Sequence, residues 1–181
     1  SKRRIVLSSI SFIFSIYLLF GLTDYAKIND RWWSGTIEAY LPPVIEKYKV
    51  NIASEEDWII DDLDLAYCKA QLDDKPILID FTGYKCTNCR WMEVNIFTRN
   101  EVKNLLDNNF VLVKLYTDSQ KEVHLKNKQL EKERFGTYAL PYYVILSPDD
   151  KKLATFAGMD QNQENFINFL NEGYNKFLKH K

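Results

Sequence analysis

The sequence predicts an α/β fold in which helices flank a central mixed sheet. The first indication is that short apolar runs, rich in β-branched and aromatic residues, alternate along the chain with longer segments of helical periodicity. Strands that are separated by helices predict parallel pairing in the first half of the domain. The second indication is the turn chemistry of Ser147-Pro148-Asp149-Asp150, which predicts an antiparallel hairpin in the second half.

The predicted elements follow the order helix, strand, helix, strand, helix, strand, strand, helix. The first helix begins near Ser54-Glu55-Glu56-Asp57, has apolar residues at helical spacing and ends at Lys75-Pro76; those apolar residues are Leu63, Leu65, Ala66, Ala70 and Leu72. Strands are predicted at residues 77–81, 110–116, 142–146 and 152–156. Further helices are predicted at residues 90–97, at residues 101–106 and within residues 118–135. The last helix has an apolar stripe of Phe166, Phe169, Leu170, Tyr174 and Phe177.

Length, charge and cysteine content narrow the classes of function. The chain has 181 residues, enough for one ordinary domain and an additional segment. Its net charge is −1, whereas a nucleic-acid-binding protein normally has a basic surplus, so we expect no nucleic-acid partner. Its three cysteines are too few for a small disulfide-stabilised scaffold.

The N-terminal segment is predicted to anchor the chain in a membrane. Ile5–Leu22 is an uncharged run of 18 residues, which corresponds to about 27 Å of helix and is close to the thickness of the hydrocarbon core. Lys2, Arg3 and Arg4 precede it and stay cytoplasmic by the positive-inside rule, so the rest of the chain lies on the far side. A cleaved signal peptide is the alternative. The predicted organisation is a transmembrane helix in residues 1–22, a linker in residues 23–54 and one domain in residues 55–181.

Cys86-Thr87-Asn88-Cys89 is a C-x-x-C pair, a pattern that occurs both in metal sites and in redox centres. A zinc site usually has four ligands, and the other candidates, Cys68, His124 and His180, lack ligand spacing, so we expect no metal. The pair follows a predicted buried strand and opens a predicted helix, where backbone N–H groups and the helix dipole favour a thiolate at Cys86. Cys89, about one turn further on, can then attack the mixed disulfide that Cys86 forms.

The remaining cysteine and the two histidines are not expected to take part in the reaction. Cys68 is predicted to be a small residue on the core-facing side of the first helix, with a regulatory thiol as the alternative. His124 and His180 lie among charged residues, so both are predicted to be on the surface without a catalytic role.

Three features together resemble the thioredoxin superfamily. They are an aspartate in the strand before the cysteines (Asp80), the C-x-x-C pair, and a later X-Pro sequence, Leu140-Pro141. The resemblance implies a thioredoxin-like fold in which a cis Pro141 lies against the cysteine pair and shapes the cleft where a partner's disulfide binds. A cis X-Pro bond is uncommon in folded proteins. The alternative is an ordinary proline at the start of a strand.

A longer stretch of the sequence is more specific. Residues 81–93, Phe-Thr-Gly-Tyr-Lys-Cys-Thr-Asn-Cys-Arg-Trp-Met-Glu, resemble the C-terminal domain of DsbD-type transmembrane disulfide reductases, which carry an FTG-x-x-C-x-N-C-x-x-M-E sequence. The resemblance implies that Glu93 lies beside the cysteine pair. It also implies that the substrate cleft is lined by Tyr84, Lys85, Leu140 and Pro141. Among the departures from the family pattern, Lys85 rather than an aromatic residue directly precedes Cys86, and the charged stretch 118–135 is longer than a minimal thioredoxin needs.

The resemblance implies a protein-disulfide reductase. Cys86 and Cys89 would accept reducing equivalents from a membrane-domain dithiol, in the same or a separate polypeptide, and pass them to oxidised periplasmic proteins. The cysteines carry the electrons, so no bound cofactor is expected. The chain would lie in the inner membrane with its thioredoxin-like domain in the periplasm, and would serve disulfide correction and cytochrome c maturation. The alternatives are a self-contained membrane-anchored thioredoxin and a non-catalytic adaptor with a thioredoxin fold.

Asp80 and Glu93 are expected to act on the cysteines through their charge. Asp80 precedes Cys86 by six residues, and Glu93 follows it by seven, which is two helical turns. Poorly solvated carboxylates disfavour an anion at Cys86, so we expect them to raise the pKa of its thiol against Lys85 and the helix dipole, and to relay protons. The alternatives are a surface acid at the strand end for Asp80 and a solvated helix charge for Glu93.

Overall fold

The computed structural model of the chain describes residues 11–12, 15–16 and 58–179. Residues 11–12 and 15–16 are helical. Most of the predicted transmembrane helix, Ile5–Leu22, lies outside the described residues, as do the predicted linker and His180. Within the described ranges, no helix is both long and apolar enough to cross a membrane.

Residues 58–179 form five strands and five helices. The strands are β1 (Trp58–Ile60), β2 (Ile77–Thr82), β3 (Val111–Tyr116), β4 (Tyr142–Leu146) and β5 (Lys152–Ala157). The helices are α1 (Leu63–Asp73), α2 (Thr87–Asn95), α3 (Asn100–Asn109), α4 (Glu122–Phe135) and α5 (Gln163–Lys179). All four predicted strands are present, and their ends differ from the predicted ones by no more than one residue.

The strands form one sheet in the order β1-β3-β2-β4-β5. β3 is parallel to β1 and β2, whereas β4 is antiparallel to β2 and β5. The expected parallel pairing in the first half and the hairpin in the second half are therefore confirmed. In this register Asp80 of β2 lies between Lys114 of β3 and Tyr143 of β4, so three polar residues follow one another across the sheet.

Helices cover both faces of the sheet, as predicted. On one face, α2, α3 and α5 pack against Leu78 and Tyr143. On the other face, α1 and α4 pack against Ile79 and Phe81. Because side chains alternate along a strand, Asp80 points to the same face as Leu78, which is the face that α2 covers.

β1 is a strand that the sequence analysis does not predict. With only three residues, Trp58–Ile60, it is too short to show a strand period, and it follows an acidic segment typical of a helix start. Its pairing with β3, in which Trp58 lies opposite Leu112, makes it a strand. The first helix therefore begins later than predicted, at Leu63, after an N-cap at Asp62.

The buried face of α1 is narrower than predicted. Its buried residues are Ala66 and Ala70, whereas Leu65 is 52% exposed and Leu72 is 85% exposed. Cys68 is also exposed, so the prediction of a core-facing cysteine is wrong. Successive residues of a helix are about 100° apart. Cys68 therefore lies about 200° around the helix axis from Ala66 and points away from the sheet.

The inward side of α4 also differs from the prediction. His124, which is predicted to be on the surface, is only 1% exposed. Together with Asn127 and Glu131, at spacings of three and seven residues, it forms the buried side of this helix. Because these residues are polar, the sequence of α4 has no apolar stripe that would indicate which side is buried.

Gly173 of α5 is in close contact with Ile145 of β4. A Cβ atom added at Gly173 would lie 3.1 Å from Ile145 Cβ and Cγ2, and closer still to Cδ1, while Ile145 is fully buried. We expect Gly173→Ala to lower the free energy of unfolding by about 1–3 kcal/mol, because overpacking outweighs the better helix propensity of alanine.

Urea unfolding of the full chain, followed by circular dichroism, measures this effect. Asn171→Ala is the control, since Asn171 is exposed on the same helix. Its substitution should change the free energy of unfolding by less than about 0.5 kcal/mol. Equal stability of the two variants would contradict the close packing of α5 on β4.

Candidate active site

Cys86 and Cys89 form a disulfide at the start of α2, with an S–S distance of 2.03 Å. Cys86 is the N-cap of this helix, and its Sγ atom accepts a hydrogen bond from Cys89 N–H at 3.1 Å. Cys86 is partly exposed, whereas Cys89 is 1% exposed. The predicted position at a helix N-terminus is therefore confirmed. When the disulfide is open, the positive end of the helix dipole stabilises a negative charge on the Cys86 sulfur.

The loop between β2 and α2 is held by the loop after β3. Lys85 N–H donates a hydrogen bond to Asp118 Oδ2 at 2.8 Å. Gly83 leaves room where the two loops meet, because a Cβ atom there would lie 2.8 Å from the Asp118 carboxyl group. The glycine therefore lets the Asp118 carboxylate reach the backbone immediately before Cys86.

The four residues predicted to line a substrate cleft lie at one end of the sheet. Tyr84 and Lys85 are exposed in the β2–α2 loop, Leu140 is partly exposed and Pro141 is buried. The Leu140–Pro141 peptide bond is cis, as the resemblance implies. Because β4 pairs antiparallel with β2, Pro141 at the start of β4 lies at the end of β2 from which the chain continues to Cys86.

Asp80 is buried on the sheet face that α2 covers. It is 1% exposed, and neither carboxylate oxygen has a hydrogen-bond partner among the residues that the structure describes. Burial raises the pKa of Asp80 to about 7; the positive charge of Lys114 opposes this effect and the negative charge of Glu93 adds to it. The alternative of a surface acid is therefore wrong, and this carboxyl group changes its charge near neutral pH.

Glu93 is buried between two cations. Its Oε1 atom accepts a hydrogen bond from Lys114 Nζ at 2.9 Å, and its Oε2 atom accepts one from Arg90 Nη1 at 2.6 Å. Glu93 is 6% exposed, so the alternative of a solvated helix charge is wrong. Since two cations compensate this carboxylate, the repulsion of an anion at the cysteines comes mainly from Asp80 when that group is ionised.

Lys114 is a site residue that the sequence analysis does not identify. It pairs in register with Asp80, its side chain is 8% exposed, and its Nζ atom lies 4.9 Å from the centroid of the Trp58 ring. Burial lowers the pKa of this lysine, but Glu93 and Asp80 outweigh that effect, so the pKa of Lys114 is raised. The sequence does contain a signal that could have identified Lys114. It is the single lysine within the otherwise apolar strand 110–116, where a charge requires a buried partner.

The arrangement combines a disulfide in which one cysteine is accessible with a buried group that titrates near neutral pH. Because Cys86 is partly exposed and Cys89 is buried, an external thiol or disulfide reaches Cys86 first. Asp80 can hold or release a proton as the disulfide opens and closes. Across the residues that the structure describes, no group of three or more His, Cys, Asp or Glu side chains could hold a metal ion.

We expect Asp80→Asn to stabilise the oxidised chain more at pH 8 than at pH 5. The pKa of Asp80 is raised from 3.8 to about 7 on folding, so the folded state holds a proton that the unfolded state releases. The stability of the wild type therefore falls as the pH rises from about 4 to 7, and the full cost of ionisation is present above pH 7. Because asparagine carries no charge, the substitution should raise the free energy of unfolding by on the order of 4 kcal/mol at pH 8 and by about 1–2 kcal/mol at pH 5.

Urea unfolding at the two pH values measures this difference. Asp149→Asn is the matched control, because Asp149 is exposed and its substitution should have the same small effect at both pH values. If Asp80→Asn raises the free energy of unfolding equally at pH 5 and pH 8, Asp80 does not titrate in this range.

Glu93→Gln leaves the Lys114 ammonium buried without its bonded carboxylate. We expect this variant to lose about 3–5 kcal/mol of unfolding free energy. Glu172→Gln is the control, because Glu172 forms an exposed ion pair with Lys176 at 2.6 Å. That control should lose less than about 1 kcal/mol. If urea unfolding gives losses of similar size for the two variants, the buried pair does not hold α2 on the sheet.

Solved structures with a similar fold include thioredoxins and Dsb proteins. A structure described as a DsbH oxidoreductase is 19% identical, with a TM-score of 0.55, over 75% of this chain and 96% of that one. A thioredoxin from Thermus thermophilus is 18% identical, with a TM-score of 0.54, over 64% and 86%. The reduced DsbD C-terminal domain of Neisseria meningitidis is 20% identical, with a TM-score of 0.53, over 64% and 99%. At these identities the similarity establishes the fold.

The sequence comparisons give one family. The comparison with curated proteins finds no match for this chain. A family model described as thioredoxin-like matches residues 57–148, half of the chain, and this range includes Asp80, both cysteines of the pair, Glu93 and Pro141. The predicted thioredoxin-like fold, a central mixed sheet flanked by helices, is therefore confirmed for the described domain. The chain belongs to the thioredoxin-like family.

Proposed function

We propose that the chain is a thiol–disulfide oxidoreductase in which Cys86 is the nucleophile and Cys89 is the resolving thiol. The observation that carries this proposal is the unequal exposure of two bonded cysteines at a helix N-terminus. Cys86 is partly exposed, whereas Cys89 is 1% exposed. A partner therefore has access to one sulfur, and that sulfur is the one whose thiolate the helix dipole stabilises.

In the reductive direction, the chain starts as a dithiol. The Cys86 thiolate attacks one sulfur of the partner's disulfide; a bond between Cys86 and the partner forms, and the partner's second sulfur leaves as a thiolate, which takes up a proton. Cys89 then loses its proton and attacks Cys86 Sγ, which forms the Cys86–Cys89 bond and releases the partner's first sulfur as a thiolate. Two electrons pass to the partner, and the cysteines themselves carry them.

Asp80 is the proposed acceptor for the proton of Cys89. Cys89 lies on the buried side of α2, and Asp80 lies on the sheet face that this helix covers. A pKa of about 7 allows Asp80 to accept and return a proton near neutral pH. Glu93 has a different task in this proposal, since its bonds to Arg90 and Lys114 hold α2 in place.

The finer proposal is a DsbD-type reductase. In this hypothesis, the dithiol is regenerated by a membrane-domain dithiol, and the electrons pass to oxidised proteins in the periplasm. Two observations support it: the sequence of residues 81–93, and the uncharged run Ile5–Leu22, which suits an anchor in the inner membrane. The DsbD C-terminal domain shares the fold of the described domain, and that similarity is compatible with this role.

Two alternatives use the same fold differently. A self-contained membrane-anchored thioredoxin has the same chemistry but is reduced by a separate membrane protein. A non-catalytic adaptor keeps its disulfide only as a structural link and needs no exposed sulfur. The partial exposure of Cys86 therefore favours an enzyme over an adaptor.

We expect Cys89→Ser to trap the mixed disulfide. Without the resolving thiol, Cys86 attacks a protein disulfide and stays bonded to the partner, whereas Cys86→Ser forms no such adduct. Both variants are made with Cys68→Ala, because the exposed Cys68 thiol would otherwise react as well. Non-reducing electrophoresis after mixing with an oxidised protein detects the adduct, and mass spectrometry identifies the bonded cysteine.

The same experiment separates the enzyme from the adaptor. In the enzyme, the reduced Cys68→Ala chain with Cys86 and Cys89 intact reduces the partner and loses one dithiol per disulfide reduced. If no adduct forms and no reduction occurs, the proposed function is wrong. A reduction potential below about −300 mV, which is typical of structural disulfides, would also show that the proposed function is wrong.

A further inference from the structure

His124 is buried near the disulfide loop and binds two polar side chains. It is 1% exposed; its Nε2 atom lies 3.0 Å from Asp61 Oδ2, and its Nδ1 atom lies 2.5 Å from Ser119 Oγ. Asp61 belongs to the turn between β1 and α1, and Ser119 belongs to the loop after β3. His124, in the first turn of α4, therefore joins three parts of the chain that are distant in sequence.

Asp61 is itself held from several sides. Its Oδ1 atom accepts hydrogen bonds from Tyr116 N–H at 2.8 Å and from Asn127 Nδ2 at 2.9 Å. Its own N–H donates to the Lys114 carbonyl at 2.9 Å. Its backbone is left-handed, with φ of 56°, a conformation that aspartate adopts more readily than most residues. The carboxylate that His124 contacts is thus fixed relative to β3 and α4.

Two tyrosine rings lie against the ring of His124. Tyr84 stacks on Tyr116, with centroids 4.2 Å apart and planes 16° apart. The His124 centroid is 5.6 Å from that of Tyr84 and 5.9 Å from that of Tyr116. Tyr84 is nevertheless 45% exposed, and it precedes Cys86 by two residues. The position of this half-exposed ring and the position of the nucleophilic sulfur are therefore linked through a short stretch of backbone.

The backbone after Tyr84 is bound to the loop that carries Ser119. Lys85 N–H donates to Asp118 Oδ2 at 2.8 Å, and Asp118 is the neighbour of Ser119. His124 therefore acts on the β2–α2 loop by two routes. One is the stack of rings, and the other is the loop that presents Asp118.

Serine, histidine and aspartate also form the triads of hydrolases, and the geometry here argues against that chemistry. In such a triad the histidine must reach the leaving group of the substrate as well as the serine. His124 is 1% exposed and lies against two tyrosine rings, so a substrate has no access to its nitrogens. The arrangement is suited instead to holding those rings in place.

We propose that His124 is a positioning residue for disulfide exchange. Bonded to Asp61 and Ser119, it fixes Tyr84 and thereby the way in which a partner protein approaches Cys86. This inference rests on the proposed function. Ordering a contact side chain before the partner binds lowers the entropic cost of binding, so a fixed Tyr84 strengthens the binding of a protein partner without changing the reaction of the sulfurs. A small disulfide that reaches Cys86 without contacting Tyr84 is not affected.

Four substitutions test this inference in the full chain. His124→Leu removes both hydrogen bonds and keeps the bulk, whereas His124→Gln keeps a donor for Asp61 and an acceptor for Ser119. Tyr84→Ala removes the ring through which His124 acts. Leu130→Ala is the control for lost stability, because Leu130 is on the same helix and packs against the core cluster on that side of the sheet.

Three measurements are made on each variant. Reduction of insulin disulfides by the pre-reduced chain gives a limiting rate and a half-saturating insulin concentration. Reaction with a small aromatic disulfide reports on the cysteines without a protein partner. Hydrogen exchange of the Lys85 amide reports on the loop without any reaction.

We expect His124→Leu to raise the half-saturating insulin concentration about tenfold, with the limiting rate and the small-disulfide rate within about twofold of the wild type. Exchange of the Lys85 amide should become about tenfold faster, because its bond to Asp118 opens more often. His124→Gln should keep the half-saturating insulin concentration and the exchange rate of the Lys85 amide close to their wild-type values. In the Tyr84→Ala background, His124→Leu should add nothing further to the insulin effect, because both routes from His124 affect the partner through the position of the Tyr84 ring.

Two results would overturn the inference. One is that His124→Leu and Leu130→Ala have the same effects, and the other is that the effects of His124→Leu and Tyr84→Ala on insulin reduction add. Failure of the proposed function is distinguishable from both. If the wild type reduces neither insulin nor the small disulfide, that function is wrong, and the exchange of the Lys85 amide then decides whether His124 positions this loop.

Discussion

The buried ion pair between Lys114 and Glu93 is the contact on which the geometry of the disulfide site depends. At 2.9 Å it joins the middle of the sheet to α2, in a region where an unpaired charge is strongly unfavourable. α2 also carries Cys89 and is capped by Cys86. The pair therefore determines where the disulfide lies relative to the sheet, since an orientation of α2 that separates the two charges is disfavoured.

The two buried acids differ because their surroundings differ. Glu93 is bonded to two cations, whereas Asp80 has no hydrogen-bond partner among the described residues and has a pKa raised to about 7. One acid therefore holds structure and the other can exchange a proton, a division of roles that environment alone produces between chemically similar groups. The loop before Cys86 is held separately, by the stacking of Tyr84 on Tyr116 and by Asp118.

Most of the fold could be predicted because its patterns are local. The strands after β1, the hairpin and the position of Cys86 at a helix start depend on neighbouring residues, whose apolar period and turn chemistry are visible in the sequence. The resemblance to the thioredoxin superfamily, carried by Asp80, the C-x-x-C pair and Leu140-Pro141, added the cis bond before Pro141. The longer resemblance of residues 81–93 added the expected position of Glu93. The sequence by itself therefore determined the fold class and singled out the cysteine pair, Asp80 and Glu93.

Only the tertiary structure decided the features that depend on contacts between residues distant in sequence. β1 is a strand because of its pairing with β3, and Cys68 is exposed because Ala66 and Ala70 face the sheet. Lys114 meets Glu93 across 21 residues, and His124 meets Asp61 across 63. A charged or polar side chain has the same local pattern whether it lies in water or is paired in the core. Its burial becomes visible only when the fold brings its partner within hydrogen-bonding distance.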